Sequence, residues 1–238
     1  MNTEDIELKL LANLPIPFND KLLLHIPSFK KVSEIGLSIY NQYLAILLID
    51  KNALEKELDE RITNFDIFFA NCYHDESFKD VAFQALRLFF MDEPELYSNE
   101  NDVAILFSSL GRIDHSNFDG LQLILKIANH LKLESEPEFK AGNSRAQEMI
   151  NMILKNRKSQ PKPKEKIDLV SMVSGLAWKS NGITILDIFD LNIYQIYNGF
   201  FTTNNIDNYH HTVSGLYAGT IDGKSIKMSD IHWANKLS

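Results

Sequence analysis

Few residues in this chain are spaced for chemistry. The seven histidines include an adjacent pair, His210-His211, whose side chains would diverge by about 100° on a helix and so share an ion poorly. No HExxH, CxxC or acid-rich loop with calcium-ligand spacing occurs. Asp187 and Asp190 lie three apart in DIFD, a spacing that would put two carboxylates on one helical face for acid–base work. Acids at that place also cap a helix start, and no base or metal partner stands near them, so capping is the stronger reading. Cys72, in FFANCYH, has His74 two residues on and facing elsewhere, and it reads as an inert core thiol beside Phe68 and Phe69. There is no GxSxG, no phosphate-binding GxxxxGK[ST] and no GxGxxG. The residues imply no catalytic group, no cofactor and no metal site.

Binding features remain. The segment Lys155 to Lys166, KNRKSQPKPKEK, separates stretches of opposite character: net charge is about −11 over 1–154, +5 over 155–166 and −2 over 167–238. Lys155, Arg157, Lys158, Lys162, Lys164 and Lys166 could meet phosphates or an acidic partner. The plainer reading is a solubilising tether, since the prolines hold it extended and no aromatic residue interleaves the charges for base stacking. Both tryptophans, Trp178 and Trp233, fall after this segment, together with Tyr194, Tyr197, Phe200, Tyr209 and Tyr217. Such rings are usually core, but they are also enriched in binding hot spots. A module of this size holding so many has a surplus beyond its own core.

The elements that must position these residues follow from periodicity and caps. The chain of 238 residues is 45% hydrophobic with fifteen Phe and eight Tyr, ample for a packed core. Its net charge of −8 opposes non-specific binding to polyanions. A single cysteine excludes an internal disulfide. MNTEDIELKL lacks the basic and apolar parts of a secretory signal, and the apolar window Leu44 to Ile49 is far too short to span a bilayer, so an intracellular, soluble protein is expected.

We expect a mainly α fold: a helical body over 1–154 with one short β-pair, the linker 155–166, and a small helical module over 167–238. A first helix fills the opening fourteen residues, until Pro15 and Pro17 interrupt it. Leu22 to Ile26 reads as a strand, with Val103 to Phe107 its best partner. Ser28 caps a helix whose face carries Val32, Ile35, Ile39, Tyr43, Ile46 and Leu47. A solvated helix or a helix extension is expected over Lys51 to Arg61. Thr63 or Asn64, then Ser77, cap two further helices. Ser116 begins an amphipathic helix with Phe118, Leu121, Ile124, Leu125 and Ala128 on one face, widened by Ile127 and Leu131. Ser144 opens the body's last helix, with Ala146, Met149, Ile150 and Ile153 pointing one way.

In the module, Asp168 caps a helix holding Leu169, Val173, Leu176 and Ala177, and Asn181-Gly182 is a turn. A β-bridge and a helix entry remain open at Ile183 and Ile185. Asp187 to Phe201 is apolar on most faces, and Tyr209 to Ala218 and Ser229 to Leu237 read as two final short helices.

The order of segments in the module resembles a group of tailed-bacteriophage proteins encoded in the tail-gene region of phages of low-GC Gram-positive hosts. The carrying residues are a helix ending LAW, then NGITILDIFDLNIYQIYNGF, then GLYAG and a terminal HWANKL. Asp190 to Gln195 (DLNIYQ) matches the group's DLTIYQ pattern, and Trp233 its closing Trp segment. NSRAQEMINMILKNRK stands where the group has an AxxxAxxIxxKxxxxR-like helix. LHIPSFKKVSEIG fits the group's pattern of apolar strand, H-x-P-T/S and helix.

The resemblance implies a role similar to tail assembly chaperones: non-catalytic binding of tape-measure or tail-tube proteins in the host cytoplasm, with self-association an option. A structural tail or neck component of the virion is a second reading. A nucleic-acid-binding regulator acting through residues 155–166 is a third, less favoured by the charge. No membrane partner is implied.

Overall fold

The computed structural model describes residues 2–53, 59, 61–100, 102–109, 111–131, 167–179 and 182–235. The basic segment, with Lys155, Arg157, Lys158, Lys162 and Lys164, and the expected helix from Ser144 lie outside them. So does most of the expected helix over Lys51 to Arg61, of which the 3-10 turn Lys51–Ala53 is described.

Helix α1, Thr3–Leu11, starts at Asn2, whose side chain accepts from the Asp5 N–H at 2.7 Å. It buries Ile6 and Leu10. Strand β1 (Ile16–Pro17) then pairs antiparallel with β2 (Leu23–Leu24), Ile16 opposite Leu24. Asn19 closes the connecting turn by accepting from the N–H groups of Lys21 and Leu22. The expected partner for β2, Val103 to Phe107, is therefore corrected. Pro17 lacks an N–H, but an edge strand of two residues does not need it.

Ser28 caps α2 (Phe29–Ile35), accepting from Lys31 N–H. The single face expected through to Leu47 is broken at Gly36, which has φ +98° and separates α2 from α3 (Leu37–Leu47). A side chain there would be strained. The break resets the helical phase: Tyr40, Tyr43, Leu44 and Leu47 are buried in α3, while Ile39 faces solvent.

Helix α4, Asn64–His74, begins with a full capping box between Thr63 and Asp66. Helix α5, Glu76–Phe90, is capped by Asp75, which accepts from Ser77 and Phe78 N–H; Ser77 already lies inside the helix. Three strands follow. In a meander, β3 (Pro94–Ser98) pairs with β4 (Val103–Phe107), and β4 with β5 (Arg112–Ile113). Helix α6, Phe118–Ala128, starts one residue after Asn117, not at Ser116, and presents the expected apolar face except that Leu131 beyond its end is exposed.

The module contributes α7 (Leu169–Lys179), α8 (Ile185–Asp190) and α9 (Ile193–Tyr217). Asp168 accepts from Ser171 N–H at 2.7 Å and so caps α7. Thr184 and Asp187 form a capping box, which settles Ile185 as a helix entry and Asp187 as a capping acid. Tyr209 to Ala218 is the end of the long helix α9, not a helix of its own. Gly219, φ +70°, turns the chain off its end. Residues 229–235 form turns, not the expected last helix. The described residues are thus mainly α, with two small antiparallel sheets.

One continuous cluster of buried apolar side chains runs through both parts, from Ile6 and Leu10 to Ile188, Ile193 and Ile196. Phe65, Phe68, Phe89 and Phe118 lie at its centre, with Phe65 and Phe68 each contacting Phe118. Two buried polar side chains of the core are hydrogen-bonded. Tyr40 Oη donates to Asn129 Oδ1 at 2.8 Å, and Gln122 Nε2 donates to the Leu47 and Ile49 carbonyls.

Candidate functional site

The module meets the body along a seam that begins at the first turn of α9. Asn192 caps that helix by accepting from Gln195 N–H at 2.9 Å, and Gln195 Oε1 accepts in return from Asn192 N–H. Both amides have donors left over. Asn192 Nδ2 reaches the Leu10 carbonyl and Asn13 Oδ1, and Gln195 Nε2 the Leu11 carbonyl at 2.8 Å. The end of α1 has carbonyls with no intrahelical partner, and the cap of α9 supplies donors to them. Phe29 N–H donates to the Leu191 carbonyl, and Ser28 and Asn192 form an isolated antiparallel bridge. Farther along α9, His130 of the body stacks on Tyr197 and Phe201 with centroids 5.1 Å from each. Burial lowers the His130 pKa from its ordinary value, favouring the neutral ring.

This seam uses several of the aromatic residues expected to bind partners. Tyr194 and Phe200 are half-buried and packed against the core, and Tyr197 lies under His130. Burial, then the Glu7 carboxylate of α1, raise the Tyr194 pKa. Trp178 and Trp233 are placed differently. Trp178 is 87% exposed at the end of α7 and Trp233 is partly exposed, stacked on His232, which in turn contacts Tyr209.

Beyond Ile196 the burial pattern changes. Among residues 197–224 and 226–235, no residue is fully buried. Ile206, Val213, Leu216, Ile226 and Ile231 are only partly buried, and Tyr217 is 90% exposed. The Lys179–Asp207 ion pair ties this arm of α9 to α7. On the same module Val170, about two turns from Trp178 along α7, and Leu186 of α8 also face solvent. Val170, Trp178, Leu186 and Tyr217 therefore leave apolar surface of the module uncovered within the described residues.

The polar candidates do not converge. His210 and His211 are both exposed on α9. Among the described residues no group of three His, Cys, Asp or Glu side chains is placed to hold a metal. Cys72 is buried, and burial pushes its thiol up to about 12. No helix of the described residues is long and apolar enough to cross a membrane.

Sequence reasoning missed the seam. Its signal was present: Asn192-x-x-Gln195 is a capping-box spacing inside DLNIYQ. No periodicity pointed to His130, which has a left-handed backbone at φ +52° and stacks on α9.

The fold defines a mainly α protein whose C-terminal helices dock on a helical body through amide caps. Residues 158–238, about a third of the chain, match the model of a family described as the YomV second domain, a phage-derived family. No curated protein and no solved structure matches the chain.

Proposed function

We propose that this chain is a phage protein that acts by binding other polypeptides during tail assembly, as a chaperone for tape-measure or tail-tube chains, and carries out no reaction itself. The observation that carries the reading is the unsatisfied apolar surface of the module, Trp178 and the distal arm of α9 with Tyr217. Exposed aromatic and apolar side chains gathered on one module are a common mark of a binding face. Aromatic residues are the side chains that most often anchor such faces. The family match over 158–238 covers this same part and supports a phage setting.

A tape-measure chain is long and helical, and an amphipathic helix buries its apolar face against such a surface. Co-expression with a tape-measure protein of the same phage genome tests the reading. A soluble complex is expected, lost on the double change Trp178→Ser and Tyr217→Ser. Failure of the two wild-type chains to associate would overturn it. Purified virions lacking the chain fit the chaperone role, whereas a fixed number of copies per particle would make it a structural component.

A further inference from the structure

A second surface lies apart from the aromatic arm. A cleft of about 410 Å³ opens where the end of α1, the segment His25 to Ser28, the end of α5 and Asn192 meet. Every ionisable side chain lining it is basic: His25, Lys31 and Arg87. That is unexpected in a body whose net charge is about −11.

The amide of Asn192 is fully used in the seam, and Ser28 Oγ is used as the cap of α2. The groups left for a ligand are the Arg87 and Lys31 cations and the His25 imidazole. Glu93 takes only the Nε of Arg87, at 2.6 Å, and among the described residues its two terminal amines have no hydrogen-bond partner. Lys31 has one exposed counter-ion, Glu34 at 3.6 Å. The His25 ring makes no side-chain hydrogen bond among the described residues.

The remaining walls are apolar. Leu88 is half-buried inside, while Leu14 and Met91 stand more than half exposed at the rim. A small anion would leave that rim uncovered. A chain that continues past the cleft would cover it, and a methionine adapts to varied side chains there.

We propose that this cleft binds an extended peptide segment of a partner protein carrying a carboxylate side chain beside a bulky apolar one. The carboxylate sits on the terminal amines of Arg87, a bidentate geometry, with Lys31 alongside. The apolar side chain fills the space between Leu88 and Met91. The inference rests on the reading of the chain as a polypeptide binder and assigns it a second contact with stated chemistry.

The test uses the full chain, immobilised and screened with a displayed library of random peptides, in parallel with a Lys31→Gln/Arg87→Gln variant shown by circular dichroism to be folded. Expected are enriched peptides with Asp or Glu next to Leu, Ile, Phe or Met. The synthetic peptide should bind about tenfold more tightly than its Glu→Gln version and about tenfold more tightly to wild type than to the variant. Met91→Asn, which tolerates the left-handed backbone at that position, should also weaken binding.

The proposal fails if nothing is enriched, or if the peptides bind the variant equally. It fails likewise if octanoate displaces them at equal concentration, which would mark a site for small carboxylates. None of these changes touches Trp178 or Tyr217, so loss of the cleft and loss of the tape-measure complex are read separately.

Discussion

Asn192 Nδ2 donates to the Leu10 carbonyl at 3.0 Å across 182 residues of sequence, while the same side chain's oxygen caps α9. One amide thus starts the longest described helix and fixes where it sits. An aspartate or serine would cap as well but could not make the same bond to α1. The requirement for an amide comes from the second role.

Replacing Asn192 with Ala removes both roles and takes the side-chain donor from the Leu10 carbonyl, which keeps the Asn13 N–H. Destabilisation by about 1–3 kcal/mol is expected, read as a lower urea midpoint. Asn192→Asp keeps the cap but places a carboxylate in a site 1% exposed, against two oxygen acceptors. Burial raises a carboxyl pKa, so the folded value lies above the unfolded one and the penalty shrinks as pH falls toward the unfolded value. The Asp variant should therefore be far weaker than wild type at neutral pH and recover part of the gap on acidification. Equal midpoints for the Asp variant and wild type at neutral pH would show that the donor bond contributes nothing.

Caps and buried stripes were legible where short-range chemistry decides them. Ser28, Thr63 and Asp168 cap the helices that their positions predict. Phe118, Leu121, Ile124 and Leu125 face inward as their spacing requires. Strand pairing was not legible. Pro94–Ser98 is short, polar and opened by a proline, so nothing in PELYS marks it as the partner of β4. Nor was the break at Gly36 legible, because a glycine within an apolar helical pattern does not announce a positive φ. The aromatic residues of the module were singled out as one set. The structure divides them: Tyr194, Tyr197 and Phe200 lie along the seam, while Trp178 projects into solvent. Sequence spacing cannot make that division, because it depends on where α9 docks.

His130 makes the seam sensitive to pH. Its folded pKa lies below the ordinary value of 6.5, so between the two values the unfolded chain binds the proton more readily. The contribution is fully present above the unfolded value and is lost as pH falls through it toward the folded one. His130→Asn, which accepts the left-handed backbone, should abolish that part of the slope. Urea titrations at a series of pH values check this: the stability difference between wild type and the Asn variant should shrink on acidification. A constant difference would mean that the ring titrates alike in both states.

The Cys72 thiol should be silent in the native protein. With its pKa pushed up to about 12 and the side chain buried beside Phe68 and Phe69, almost no thiolate forms at neutral pH. A chromogenic disulfide reagent should find no reactive thiol in buffer and one in urea, with the rate in buffer following global unfolding. Fast labelling of the folded chain would mean that α4 opens locally.

Trp178 offers the sharpest separation of stability from binding. At 87% exposure it contributes little to the core, so Trp178→Ala should shift stability by about 0.5 kcal/mol or less. Its fluorescence should resemble that of tryptophan in water and be quenched by acrylamide nearly as efficiently as in the unfolded chain. Trp178→Phe should remove most of this quenchable emission and leave the partly shielded Trp233. If a tape-measure chain binds the arm as proposed, the emission should shift to the blue and quenching should fall. The Ala variant should then capture that partner less well while melting like wild type. A variant that melts early would show instead that the ring supports the fold, and a complex forming with Trp178 still open to acrylamide would move the binding face elsewhere.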